Sequence, residues 1–155
     1  MPIEETLAAF LKEIGVSEET KIVNAVTYWK SMADEVYIYG GAERLLKSVR
    51  ARGYPLGLLT NCDKYGCENT RIDPLLANFD YIYMSYKMGC AKPDKMCWQA
   101  IRDHFAVPYS QMLMIGDSMS SDISPALGLG MRTIHIKHGE TEISRWAEEL
   151  SSLPL

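Results

Sequence analysis

No run of lysine or arginine occurs anywhere in the chain, and its formal net charge is −4. That balance gives a nucleic-acid backbone no electrostatic footprint, so no nucleic-acid partner is expected. A small anionic ligand stays open, because a pocket can gather positive charge locally. No window approaches the roughly 18 apolar residues of a membrane span, so no membrane partner is expected either. The opening residues, MPIEETLAAFLKEIG, carry no basic leader and no unbroken apolar stretch. A cytoplasmic chain is the expectation. Cysteine is sparse: Cys62, Cys67, Cys90 and Cys97 stand at spacings of five, 23 and seven residues. Those spacings match no common zinc-ligand pattern, and reduced thiols are expected. There is no G-x-S-x-G elbow, no P-loop and no dinucleotide glycine fingerprint, which removes those routes to a serine nucleophile or a bound nucleotide. Internal repeats and low-complexity linkers are also missing.

What is present suits a soluble, globular chain with a real core: 155 residues, 47% hydrophobic and 23% charged. Residues 4–14 place Leu7, Phe10, Leu11 and Ile14 on one helical stripe that Gly15 ends. Ser17 then caps a second helix, with Glu18 and Glu19 at the favourable end of its dipole. Its apolar positions are Ile22, Val23, Val26, Trp29, Met32 and Ala33. The two segments predict an αα unit whose greasy face needs a partner.

Beyond residue 35 the pattern changes. Short β-prone runs at 36–39, 56–60, 81–84, 112–116 and 132–136 alternate with helical stretches at 42–52, up to about 76, 94–104 and 122–129. An amphipathic tail over 140–150 follows. Near-continuous apolar strands separated by helices predict a parallel sheet covered on both faces, a Rossmann-like three-layer α/β fold. Right-handed crossovers put every strand's C-terminal end on one edge, where ligands of open α/β sheets bind.

Polar residues collect just after those ends. Thr60 and Asn61 follow one strand, Lys92-Pro93 another, and Asp117 a third, with Asp122 five residues on. Hydroxyl, amide and exposed backbone N–H groups can cradle phosphate oxygens. A positioned lysine can neutralise a phosphate. Two carboxylates in one loop suit Mg²⁺, which takes oxygen ligands and keeps waters. Blander readings stand beside each: Thr60 as a last β residue, Asn61 as a turn former, Lys92 as a surface lysine, Asp122 as a helix cap and Asp117 as a solvated carboxylate. His104 reads as a helix-end residue, His135 as a strand residue and His138 as a loop residue.

Together LGLLTN (56–61), GCAKPD (89–94) and MIGDSMSSD (114–122) resemble motifs II, III and IV of the haloacid dehalogenase-like (HAD) hydrolase superfamily, of phosphatase type. The resemblance runs from about Ile38 to His138. It implies catalytic roles for Lys92 and Thr60, substrate binding by Thr60, Asn61 and Lys92, and a Mg²⁺ cofactor held by Asp117 and Asp122. It also implies a small phosphorylated substrate. Residues 1–34 resemble the latter part of a helical cap, and 35–155 an incomplete core. The family's first motif, Asp-x-Asp after a central first strand, has no match in these residues, and Asp34 stands in the wrong context for it. Activity is therefore doubtful on this reading. The alternative is a non-catalytic or truncated relative with a binding or structural role, and a third possibility is an unrelated α/β protein with coincident residues. Loss of a central strand leaves two inner edges unpaired. Direct pairing of those edges, insertion of residues 36–39, a second copy in a homo-oligomer, or a strand-donating partner would each close the gap.

Overall fold

The computed structural model describes residues 3–33, 38–39, 41–63, 72–136 and 145. Helix α1 covers Ile3–Glu13, with Glu4 and Glu5 in its first turn and Lys12 in its last, each on the side the dipole favours. Gly15 takes a φ of 93°, a conformation open to glycine, and the chain turns there into α2, Glu19–Ala33. A Lys30–Glu4 ion pair of 2.9 Å ties the two helices. Ile22 is buried, yet Phe10, Ile14, Val23 and Met32 are more than half exposed. The predicted stripe is present, and two helices alone cover only part of it.

Helix α3 spans Ala42–Ala51 and turns Leu45, Leu46 and Val49 into half-buried positions. The remaining elements are β1 (Gly57–Thr60), α4 (Asp73–Leu76), β2 (Tyr81–Met84), α5 (Ser85–Met88), α6 (Lys95–Phe105), β3 (Leu113–Gly116), α7 (Ser124–Gly128) and β4 (Arg132–His135). Asp94 caps α6, its carboxylate accepting from the Met96 N–H at 2.9 Å. The predicted strand at 36–39 falls partly outside the described residues; Ile38 and Tyr39 are described and form no strand. His138 lies outside them, and so does the tail at 140–150 except for Arg145.

The fold is mixed α/β with short parallel strands, as expected. Among the described residues these strands form two separate pairs rather than one sheet. β1 runs parallel to β2 with Thr60 opposite Met84, and β3 runs parallel to β4 with Gly116 opposite His135. No ladder joins the pairs, so β1 and β3 do not close up by direct pairing. A single core holds them together instead. Tyr83 of β2, Cys97, Trp98 and Ile101 of α6, Ala126 of α7 and Met131 form one buried cluster, with Leu59 and Met114 packed against it. Helix α6 lies so close on β1 that a Cβ at Gly57 would sit 2.9 Å from the Phe105 ring.

One predicted helix start differs. Residues Met119–Ile123 form a π-helical turn ahead of α7. The Ser118 carbonyl accepts from both Asp122 N (2.9 Å) and Ile123 N (3.1 Å), while the Ser118 hydroxyl accepts from Ser121 N at 3.2 Å. Those local bonds widen the turn and draw Asp122 back towards the end of β3.

Candidate active site

Because paired strands are parallel and in register, Thr60 and Met84 end together, and so do Gly116 and His135. The loops leaving these ends are stitched to one another by side chains. The Ser85 hydroxyl accepts from Cys62 N and donates to Cys62 O, both at 3.0 Å, which ties the exit of β1 to that of β2. Asn61 does the same over a longer reach: its Nδ2 donates to Lys92 O at 2.9 Å, and its Oδ1 accepts from Lys92 N at 2.8 Å. The two bonds mimic a strand ladder and fix the backbone of Lys92, whose peptide bond to Pro93 is cis.

Lys92 then reaches across to the other strand pair. Its Nζ lies 2.6 Å from Asp122 Oδ1, with side chains only 10% and 4% exposed. The second oxygen of Asp122 accepts from Ser118 N at 3.0 Å. A buried ion pair is costly unless its remaining polar atoms are satisfied, and here both carboxylate oxygens are. Gly116 makes the approach possible, since a Cβ there would lie 2.6 Å from Asp122 Cβ and Oδ2. Asp117 is exposed at the tip of β3, and its carbonyl lies 2.9 Å from Nε2 of His135.

Asn61, Lys92 and Asp122 are thus joined between the C-terminal ends of the two strand pairs, with Thr60 next to Asn61 at the end of β1 and Asp117 directly after β3. Lys92 and Asp117 do not stand on opposite edges, which removes the reading of coincident residues in an unrelated fold. His104 stands apart, stacked on Tyr81 with ring centroids 4.0 Å away. Three features escaped the sequence: the Asn61 clamp, the contact of His135 with the Asp117 carbonyl, and the packing of half-buried Cys90 against buried Tyr83 and Cys97. The first two join residues 31 and 18 positions apart, and no local spacing announces them. Cys62 is disulfide-bonded, which corrects the expectation of wholly reduced thiols, whereas Cys90 and Cys97 are free.

The donor set can be tested against Mg²⁺. Among the described residues no three His, Cys, Asp or Glu side chains gather into a ready cage. Mg²⁺ does not require one, because it commonly binds through one or two carboxylates, waters and a substrate phosphate oxygen. Asp117 fits that role at the edge. Asp122 lies behind it with both oxygens engaged.

A family model for haloacid dehalogenase-like hydrolases matches residues 3–130. The chain belongs to this family. As a HAD-like hydrolase it is 31% identical over 102 residues to a glyceraldehyde 3-phosphate phosphatase of Pyrococcus abyssi, covering 64% of this chain and 42% of that protein. The chain spans between two fifths and about half the length of the curated relatives it matches. Among solved structures, a HAD-like family hydrolase from Xanthomonas campestris superposes with a TM-score of 0.69 at 18% identity, over 93% of this chain and 64% of that one. A HAD family enzyme from Bacteroides thetaiotaomicron, solved in complex with magnesium and inorganic phosphate, gives 0.60 at 21% identity, over 88% and 71%. These likenesses agree with the fold derived above. No helix among the described residues is long and apolar enough to cross a membrane.

Proposed function

We propose that these residues form the phosphate- and Mg²⁺-binding part of a phosphatase acting on small phosphate monoesters. One observation carries the reading: Lys92 is held at the sheet edge from two sides, by Asn61 through its backbone and by Asp122 through its ammonium. A lysine fixed in this way presents a point charge to a phosphoryl group without reorganising. Thr60, at the end of β1, supplies a hydroxyl to a phosphate oxygen, and Asn61 serves binding by positioning Lys92. Mg²⁺, when bound, neutralises phosphate charge and is held by Asp117, with Asp122 behind it. On this reading residues 1–34 are part of a cap and 35–155 the core, and the chain works in the cytoplasm.

A carboxylate nucleophile is the missing component. No Asp-x-Asp occurs in the 155 residues. The same reading therefore assigns the nucleophile, and with it the strand between β1 and β3, to further sequence of the protein or to a strand-donating partner. The separation of the two strand pairs supports this assignment. It equally supports the second reading, a relative that binds phosphate and Mg²⁺ without turnover.

Calorimetric titration with inorganic phosphate in the presence of Mg²⁺ tests what the two readings share. Binding weakened at least tenfold in Lys92→Ala and in Asp117→Asn is expected, and binding unchanged in both variants overturns the site. Hydrolysis of an aryl phosphate then separates the readings. Turnover by the 155-residue chain that Lys92→Ala abolishes excludes the non-catalytic one.

A further inference from the structure

Two free cysteines lie on either side of Lys92 in the segment Cys90-Ala-Lys-Pro-Asp-Lys-Met-Cys97, and the fold brings both to a single tyrosine. The Tyr83 hydroxyl makes a very short contact with Cys90 Sγ and donates to the Cys90 carbonyl at 3.3 Å. Cys97 lies in the same buried cluster as Tyr83, and Cys90 packs against that cluster. Tyr83 and Cys97 are the largest fully buried side chains among the described residues, and Cys90 is half-buried beside them. One thiol is therefore reachable from solvent, and the other waits behind it in the core.

We infer that Cys90 and Cys97 are a thiol–disulfide pair that locks the Lys92 loop at both ends when oxidised by a low-molecular-weight disulfide. The Cys90 thiolate attacks one sulfur of the disulfide RSSR and expels RS⁻, which leaves a mixed disulfide on Cys90. Deprotonated Cys97 attacks the Cys90 sulfur, forms the Cys90–Cys97 bond and expels the second RS⁻. The two thiolates take up the two protons lost by the cysteines. Two cysteines are oxidised, and one RSSR is reduced to two RSH. Burial holds the Cys97 thiol in its protonated form, so the order runs from Cys90 to Cys97 and the second step is the slower. In the reduced state Tyr83 holds the Cys90 sulfur against the buried cluster that contains Cys97. The inference does not depend on the function proposed above.

The segment offers a direct readout. Trypsin cuts after Lys87, Lys95 and Arg102 and spares the Lys92–Pro93 bond, so the two cysteines fall in separate peptides, 88–95 and 96–102. The 155-residue chain is incubated in native buffer with oxidised glutathione, alkylated, digested and weighed. The expected product is the two peptides joined, two hydrogens lighter than their sum. Cys97→Ser should leave Cys90 as a stable glutathione adduct, and Cys90→Ser should leave Cys97 unmodified. A wild-type chain that keeps glutathione on Cys90 with Cys97 free overturns the pairing. Cross-links from Cys90 or Cys97 to Cys62 or Cys67, or joined peptides that form only in urea, overturn it equally. The wild-type result decides the matter even if Cys97→Ser fails to fold.

Discussion

The side-chain amide of Asn61 brackets the backbone of Lys92, donating to its carbonyl at 2.9 Å and accepting from its N–H at 2.8 Å. A residue at the end of one strand thereby fixes a loop 31 positions away. Asn61→Ala removes both bonds and should lower stability by about 1 kcal/mol, since the site is partly solvated. Asn61→Asp keeps the acceptor and loses the donor, so it should fall between. Urea midpoints at constant slope measure the effect, and an Asn61→Ala midpoint equal to wild type contradicts the clamp.

Lys92 and Asp122 form a buried pair, and removing one partner strands the other's charge. Lys92→Ala is expected to destabilise by about 3 kcal/mol or more. Lys92→Met combined with Asp122→Leu should cost much less than the sum of the single changes, because neither charge is left alone. The comparison is a double-mutant cycle in urea. Strict additivity of the two changes shows that the ion pair does not couple them.

Gly116→Ala places a methyl 2.6 Å from Asp122 Cβ and Oδ2. The neighbours are the root and tip of a buried, anchored side chain, so the methyl cannot be accommodated by a simple rotation. A loss of about 2 kcal/mol is expected. Gly128→Ala serves as a comparison, because nothing lies within 4 Å of its Cβ position. Equal midpoints for the two variants contradict the close approach.

Asp80 joins the start of β1 to α3. Its carboxylate accepts from Leu56 N at 2.8 Å and pairs with Arg50. The Leu56 N–H first, and the Arg50 guanidinium second, hold its carboxyl below the ordinary value of 3.8. A depressed folded-state value means that the unfolded chain binds the extra proton. The contribution is present above pH 3.8 and fades as pH falls through the folded-state value. Asp80→Asn should therefore flatten the acid limb of the stability curve below about pH 4. Wild type and variant with parallel curves between pH 5 and pH 2 contradict the assignment.

Much of the architecture was legible in residue order. The stripes of α1 and α2, and the apolar runs at 57–60, 81–84, 113–116 and 132–135, are local consequences of spacing and side-chain type. So is the gathering of Thr60, Lys92 and Asp117 at strand ends, because parallel topology sends those ends to one edge. The motifs 56–61, 89–94 and 114–122 pointed to the family, which the match over residues 3–130 shows. What local pattern cannot contain is the partner of a side chain far away in sequence. The tertiary structure alone decided that Asn61 holds Lys92, that Asp122 is buried against that lysine, and that Cys90 and Cys97 share one tyrosine. It also decided that, among the described residues, four parallel strands stand as two pairs rather than one sheet. Periodicity sets which face of each element is apolar, but pairing depends on which edges the packed core brings within hydrogen-bonding reach.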